Sequence, residues 1–200
     1  MKTDFAITEQ DYSNLKKEQY FNNWDISPVL CNPLLKILKQ RKPVSTLFGE
    51  MTNKLSKFFS ISKAALILKD MDKETLAVTA VWKNFQFNNG LKLTLPRKNS
   101  FLYEILNTRK IKSLPIFSKA PGNMIENKII INKSDSALTV CPMISEDLIR
   151  GLISFASPIP YAFEMIEEGY LGTVFETFGQ VLSDEYEKTN RKKYVEGEWE

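Results

Sequence analysis

The sequence predicts an α/β domain of the α+β type: an antiparallel sheet of five to six strands, N- and C-terminal helices packed on one face, and a helix-and-loop segment over the other. Three observations carry that expectation. Apolar residues recur three and four apart in stretches near the two ends, 44–60 and 161–188, whereas 62–83 and 136–157 run continuously apolar or alternate with period two. Short turns, Asp70–Lys73 and Ser145–Asp147, join the strand-like runs into hairpins. A segment without sustained period, 111–135, separates the two groups of strands, and loops of that length in compact domains are usually functional or mobile.

Residues 1–24 are polar with spaced aromatics, and Tyr12 and Tyr20 fall in a stretch that predicts a helix over 9–21. Ser27 followed by Pro28 reads as an N-cap and first-turn proline, after which Leu30, Leu34, Ile37 and Leu38 share one helical face. These elements make an N-terminal helical extension, 1–43. Pro43 restarts the chain, and Leu47, Met51, Leu55 and Phe58 or Phe59 stripe a helix over 44–60. Strands follow at 62–70, 74–83 and 90–95, the first reading as a buried central strand. A short helix over 100–108 carries Phe101, Leu102, Ile105 and Leu106. Strands at 136–145 and 150–157 precede a long last helix, 161–188, striped by Leu171, Val174, Phe175, Phe178 and Leu182. The domain proper therefore spans 44–188, with a charged tail at 189–200.

Composition narrows the function. The formal charge is +3, too mild for a nucleic-acid footprint, and the basic clusters Lys36–Lys42 and Lys188–Lys193 read as solvated helix faces, so nucleic acid is not an expected partner. No apolar run approaches the ~18 residues of a membrane span, and the first residues lack signal-peptide grammar, so neither a membrane nor export is expected. Two cysteines, Cys31 and Cys141, make no disulfide framework, and a reduced cytoplasm is the simplest location. Histidine is absent. That removes Ser-His-Asp and Cys-His nucleophiles, His-ligated haem and His-containing zinc sites, so no cofactor, no metal and no catalytic residue is expected.

Three stretches resemble the GAF domain family, across 44–187 of the chain. Ser62-Lys63-Ala64-Ala65-Leu66-Ile67-Leu68-Lys69-Asp70 is similar to the family's first strand ending in an acidic residue. Ala137-Leu138-Thr139-Val140-Cys141-Pro142-Met143, followed by Gly151–Phe155, is similar to its small-x-Leu-x-x-Pro-Leu strand and hairpin. Ser157-Pro158 with Tyr161-Ala162-Phe163 resembles the opening of its last helix. The resemblance implies a sensory or regulatory module of signal transduction that binds a small molecule and acts through a partner protein or dimer, not an enzyme. The alternative is a ligand-free dimerisation or scaffold module. Within the family, bilin attachment needs a cysteine that 96–135 lacks. The cyclic-nucleotide signature begins at Asn132-Lys133-Ser134-Asp135, but its Phe and Asp-Glu pair are missing. The sulfoxide-reducing branch uses several cysteines near the pocket, where only Cys141 is expected here.

The site expectation rests on strand alternation. Leu138 and Val140 alternate with Thr139 and Cys141, and Ile153 and Phe155 alternate with Ser154 and Ala156. If the bulky residues share one face, the small face lies under 96–135 with room for a small neutral or weakly polar molecule. The ligand-binding candidates are therefore Thr139, Cys141 and Ser154, with Trp82 and Phe101 as aromatic walls. Each has a plainer reading: Trp82 and Phe101 as core, Cys141 as a buried small hydrophobe. The carboxylate pairs Glu146-Asp147 and Glu167-Glu168 fall at a turn and a helix start, where they serve turn and dipole. A homodimer through the terminal helices is expected from the apolar surface of Tyr12, Leu15, Leu34, Leu38 and Leu47.

Overall fold

A computed structural model of the chain describes residues 26–167 and 171–197. The helix expected over 9–21 lies outside these residues. Six strands form one sheet in the order β3-β2-β1-β6-β5-β4. They are β1 (Lys63–Asp70), β2 (Thr75–Lys83), β3 (Gln86–Thr94), β4 (Lys112–Leu114), β5 (Ala137–Ser145) and β6 (Leu148–Ser157), and every pairing is antiparallel.

Turn chemistry sets the hairpins. Asn84 and Phe85, at φ 45° and 65°, join β2 to β3, and Glu146 and Asp147, at φ 49° and 59°, join β5 to β6. Two-residue loops with both residues left-handed have the backbone twist that antiparallel strands need. Between β1 and β2, the Asp70 carboxylate accepts from the backbone N–H of Asp72 and of Lys73, each at 3.1 Å. That is the local bond by which aspartate starts a turn.

Helices cover both faces. On one lie α1 (Ile26–Leu38), α2 (Val44–Leu55) and α6 (Gly172–Gly197). Leu30, Leu34 and Leu38 of α1, Leu47, Phe48 and Met51 of α2, and Val174, Phe175 and Phe178 of α6 form a single core with Leu66, Ile153 and Phe155 of the sheet. The other face is crossed by α3 (Phe101–Thr108) and α4 (Met124–Ile130), whose Phe101, Leu102, Ile105 and Ile130 bury Ile67, Leu138, Val140 and Leu152. A short α5 (Glu164–Glu167) precedes α6. The expected arrangement, terminal helices together on one face and a crossing segment on the other, is the one observed.

Several boundaries differ from expectation, each for a physical reason. The segment 111–135 is not wholly irregular, since it contains β4 and α4, elements too short to show a period. The third strand begins at Gln86 rather than 90, because pairing with β2 carries the polar run Asn88-Asn89-Gly90 into the sheet edge. The helix over 44–60 stops at Leu55. The single helix over 161–188 is two, α5 and α6. Helix α1 starts at Ile26, placing Ser27 inside its first turn rather than at the cap. Leu34, Leu38 and Leu47, expected to offer surface to a second copy, are no more than 2% exposed and belong to the intrachain core. Tyr12 and Leu15 lie outside the described residues.

Helix α6 meets the sheet most tightly at Gly179, where an added Cβ would stand 2.4 Å from the Ile144 carbonyl oxygen. Backbone cannot yield as a side-chain tip does. The substitution Gly179→Ala is therefore expected to destabilise the fold by about 1–3 kcal/mol despite alanine's higher helix propensity, as measured by urea unfolding. An unchanged or raised midpoint would show that α6 is not held at this spacing.

Candidate functional site

The candidate site is the layer between the sheet and the segment that crosses it. Polar fasteners hold that segment in place. Asn123 caps α4 by accepting from the backbone N–H of Ile125 and Glu126, at 3.0 and 3.1 Å. Glu126, fully buried, reaches back to the Asn123 N–H at 3.4 Å, completing a capping box. The same carboxylate accepts from the Phe101 N–H at 3.0 Å and from the Ser100 hydroxyl, which itself caps α3 by accepting from the Tyr103 N–H. One carboxylate thus satisfies orphan donors at the start of two helices.

The far end of α4 has a cation. Lys63 of β1, 7% exposed, donates to the Lys128 and Ile131 carbonyls at 2.6 and 3.1 Å. Desolvation by burial, helped by the Lys83 charge, lowers its pKa, and Asp135 opposes the shift. Beside it the Ser62 hydroxyl donates to Asp135 at 2.5 Å, Asn132 Nδ2 donates to that hydroxyl at 3.1 Å, and the Asn132 N–H donates to Asp135 at 2.5 Å. The turn after α4 is thereby tied to the edge of β1.

The side chains packed in this layer are mostly apolar, and two buried polar atoms on the elements that border it stand unpaired. The Ser154 hydroxyl of β6, in a residue with no exposed surface, has no hydrogen-bond partner, and neither has the buried Asn127 Oδ1 of α4. Unpaired buried polar atoms each cost about 1–3 kcal/mol, so a partner for them is favourable.

The five sequence candidates do not share this layer. Register is the reason. Thr139 lies opposite Phe155, Val140 opposite Ser154 and Cys141 opposite Ile153, and cross-strand partners face the same side. The expected bulky and small faces are therefore each mixed. Thr139 and Cys141 share the face of Ile153 and Phe155, which meets the terminal helices, and Thr139 pairs its hydroxyl with that of Ser113 at 2.8 Å. Trp82 also belongs to that side, where its indole N–H donates to Asn53 Oδ1 of α2 at 2.6 Å. Only Phe101 and Ser154 border the crossing segment. Burial pushes the Cys141 thiol far above the usual thiol range, against a smaller opposing effect of Thr139.

Sequence reading passed over Glu126, Asn127 and Lys63. The Asn123-x-x-Glu126 spacing is a signal for the first two, since it marks a capped helix start. Nothing local marks Lys63, whose partners lie 65 and 68 residues away. The two basic clusters do meet: Lys39, Arg41 and Lys42 face Lys188 across an open cleft of about 670 Å³ between the α1–α2 turn and α6.

No family model matches the sequence, and no curated protein does. Solved structures match it across most of its length. The GAF domain of a phosphoenolpyruvate-protein phosphotransferase from Coxiella burnetii is 12% identical with a TM-score of 0.68, covering 84% of this chain and 99% of that one. The GAF domain of a two-component sensor histidine kinase from Bacillus halodurans is 14% identical with a TM-score of 0.61, covering 74% and 98%. Free methionine-R-sulfoxide reductase from Neisseria meningitidis, solved in complex with its substrate, is 14% identical with a TM-score of 0.60, covering 82% and 94%. The chain has the fold of a GAF domain.

Two measurements check the site. Replacing Glu126 with Ala is expected to cost about 2–3 kcal/mol in urea unfolding, more than an ordinary cap, because donors on two helices lose their acceptor. Cys141 is expected to react with Ellman's reagent only at the rate of unfolding; rapid labelling of Cys141 in the native chain would contradict its burial.

Proposed function

We propose that this chain is a regulatory module of signal transduction that binds a small, weakly polar molecule beneath the 96–135 segment and passes its occupancy to a partner protein or a second copy. The buried, unpaired Ser154 hydroxyl carries the reading, with the Asn127 amide oxygen on the covering helix as its counterpart. Together they ask for a ligand that both donates and accepts hydrogen bonds within an apolar layer. The fold, and the signalling proteins in which neighbouring GAF domains occur, support a regulatory role by analogy. Binding rather than catalysis is favoured by the lack of histidine and by Cys141, which is buried on the opposite face with its thiol held protonated. No helix among the described residues is long and apolar enough to cross a membrane, in keeping with action in the cytoplasm.

One observation favours a second reading, a ligand-free dimerisation or scaffold module. Phe101, Leu102, Ile105 and Ile130 already fill much of the layer from above. Native mass spectrometry of the purified chain separates the two. A retained small molecule lost in Ser154→Phe is expected, along with thermal stabilisation of roughly 5–10 °C by that molecule at about 100 Kd. A bare dimer, unaffected by Ser154→Phe, would favour the scaffold.

A further inference from the structure

One end of the sheet gathers the starts of β1, β3 and β5 and the ends of β2, β4 and β6. Backbone hydrogen bonds tie the connections there into one surface. The Asn84 N–H donates to the Ser62 carbonyl at 3.2 Å, and the Ser136 N–H donates to the Ser157 carbonyl at 2.9 Å. The Phe117 N–H donates to Ser136 and the Tyr161 N–H to Pro115, both at 2.9 Å. The Ser62 hydroxyl donates to Asp135, joining the β2–β3 loop to the segment before β5.

Apolar side chains project from these connections. Phe85 is 72% exposed, and Phe58, Ile116 and Ile159 are between 47% and 54% exposed. Phe85 holds the second place of its two-residue loop at φ 65°, a left-handed backbone that favours glycine and strains a bulky side chain. Its ring lies 5.3 Å from that of Trp82 yet stays mostly in water. The turn itself does not account for the aromatic. Charge at the same end is one-sided. Lys57, Lys83, Lys119 and Lys133 are exposed, and no ion pair engages them among the described residues. The carboxylates beside them are occupied: Asp135 is buried and bonded to Ser62 and Asn132, and Glu164 of α5 is half-buried with a partner of its own.

Three kinds of anionic partner are candidates. Protein interfaces are depleted in lysine at their centres, whereas here lysine is interleaved with the apolar tips: Lys57 adjoins Phe58, and Lys83 lies two residues before Phe85. Single-stranded nucleic acid stacks its bases on aromatic rings, which Ile116 and Ile159 do not offer. An anionic bilayer suits both features, since its headgroups attract lysine and the boundary beneath them takes up aromatic and aliphatic side chains alike. No helix among the described residues is long and apolar enough to cross a membrane, and a surface contact needs none.

We propose that this end of the domain docks on a negatively charged lipid surface. Phe58, Phe85, Ile116 and Ile159 seat at the headgroup boundary, and the four lysines meet headgroup charge. The contact uses neither the layer around Ser154 nor any ligand in it.

Co-sedimentation of the full chain with lipid vesicles tests it. Phosphatidylcholine vesicles containing about one-third phosphatidylserine are expected to bind half of the chain below about 1 mM accessible lipid in about 0.1 M salt, and pure phosphatidylcholine at least about tenfold more weakly. Lys57→Gln combined with Lys83→Gln should weaken binding about tenfold or more, and Phe85→Gly, which suits the left-handed backbone, about fivefold or more. Lys39→Gln combined with Arg41→Gln removes equal charge at the α1–α2 turn and should leave binding within about twofold. Should the Lys57/Lys83 variant fail to fold, Phe85→Gly decides. No saturable binding to the charged vesicles, equal binding to neutral ones, or an equal loss from the α1–α2 turn would overturn the proposal. Binding that needs the lysines but not Phe85 would point to a soluble acidic partner, and tighter binding of a thymidine oligonucleotide than of the charged vesicles would point to nucleic acid; either result overturns it as well.

Discussion

The structure is governed by burial of its central strands on both faces. Residues 64–67 of β1, 137–143 of β5 and 151–157 of β6 are buried without interruption, so neither side of the sheet centre can be left to water. A strand of that kind must be covered twice. The terminal helices supply one cover from long amphipathic stripes that need only to dock. The other is made from short helices and loops with little intrinsic stability, since α3 has eight residues and α4 seven. Such elements persist only if tertiary contacts hold them.

This explains the concentration of buried polar groups on one side of the molecule. Glu126 at the start of α4 and Lys63 at its end complement the helix dipole from both directions, and each also satisfies backbone groups with no intrahelical partner. A surface ion pair such as Lys42–Glu50, with both side chains more than a third exposed, contributes little by comparison. Glu126 and Lys63 instead hold a cover against the sheet, and losing either leaves the other fastener with a helix that cannot stand alone. The covering segment is thus pinned at α4 by these polar groups and in its middle by β4, whose backbone pairs with β5 from Lys112 to Leu114.

The fold was legible in the sequence because its large features are periodic. The stripes of α2 and α6 and the apolar runs of β1, β5 and β6 each stand out over eight residues or more, and their order is enough to place helices and sheet. The candidate site was half legible for a reason equally physical. Alternation along one strand says which residues share a face within that strand, and it says nothing about which face of the next strand they join. That is set by register. Thr139 opposite Phe155, rather than opposite Ser154, turns two small residues of β5 away from the crossing segment and leaves Ser154 and Ala156 of β6 there without them. Lys63 was illegible for a related reason: its partners are helix-end carbonyls far along the chain, and such contacts leave no local pattern.

The placement of β6 gives the two sides of the molecule a common element. Ser154 faces the crossing segment, while Ile153 and Phe155, its sequence neighbours, sit in the core beneath α6, and Phe155 stacks within 6.3 Å of Phe175. Arg150, four residues before Ser154, meets Tyr186 of the same helix. An event on one face can therefore bear on α6 through a single strand, without a chain of intermediaries. Contact is not coupling, however. A molecule beneath 96–135 shifts α6 only if it binds one position of the strand better than another, and close packing at Gly179 against Ile144 limits the positions available. A tightly seated helix favours discrete changes, a step in seating or a release, over continuous deformation, because close-packed interfaces resist small displacements. The same glycine that brings α6 nearest to the sheet is thus the point at which any such step has to be accommodated.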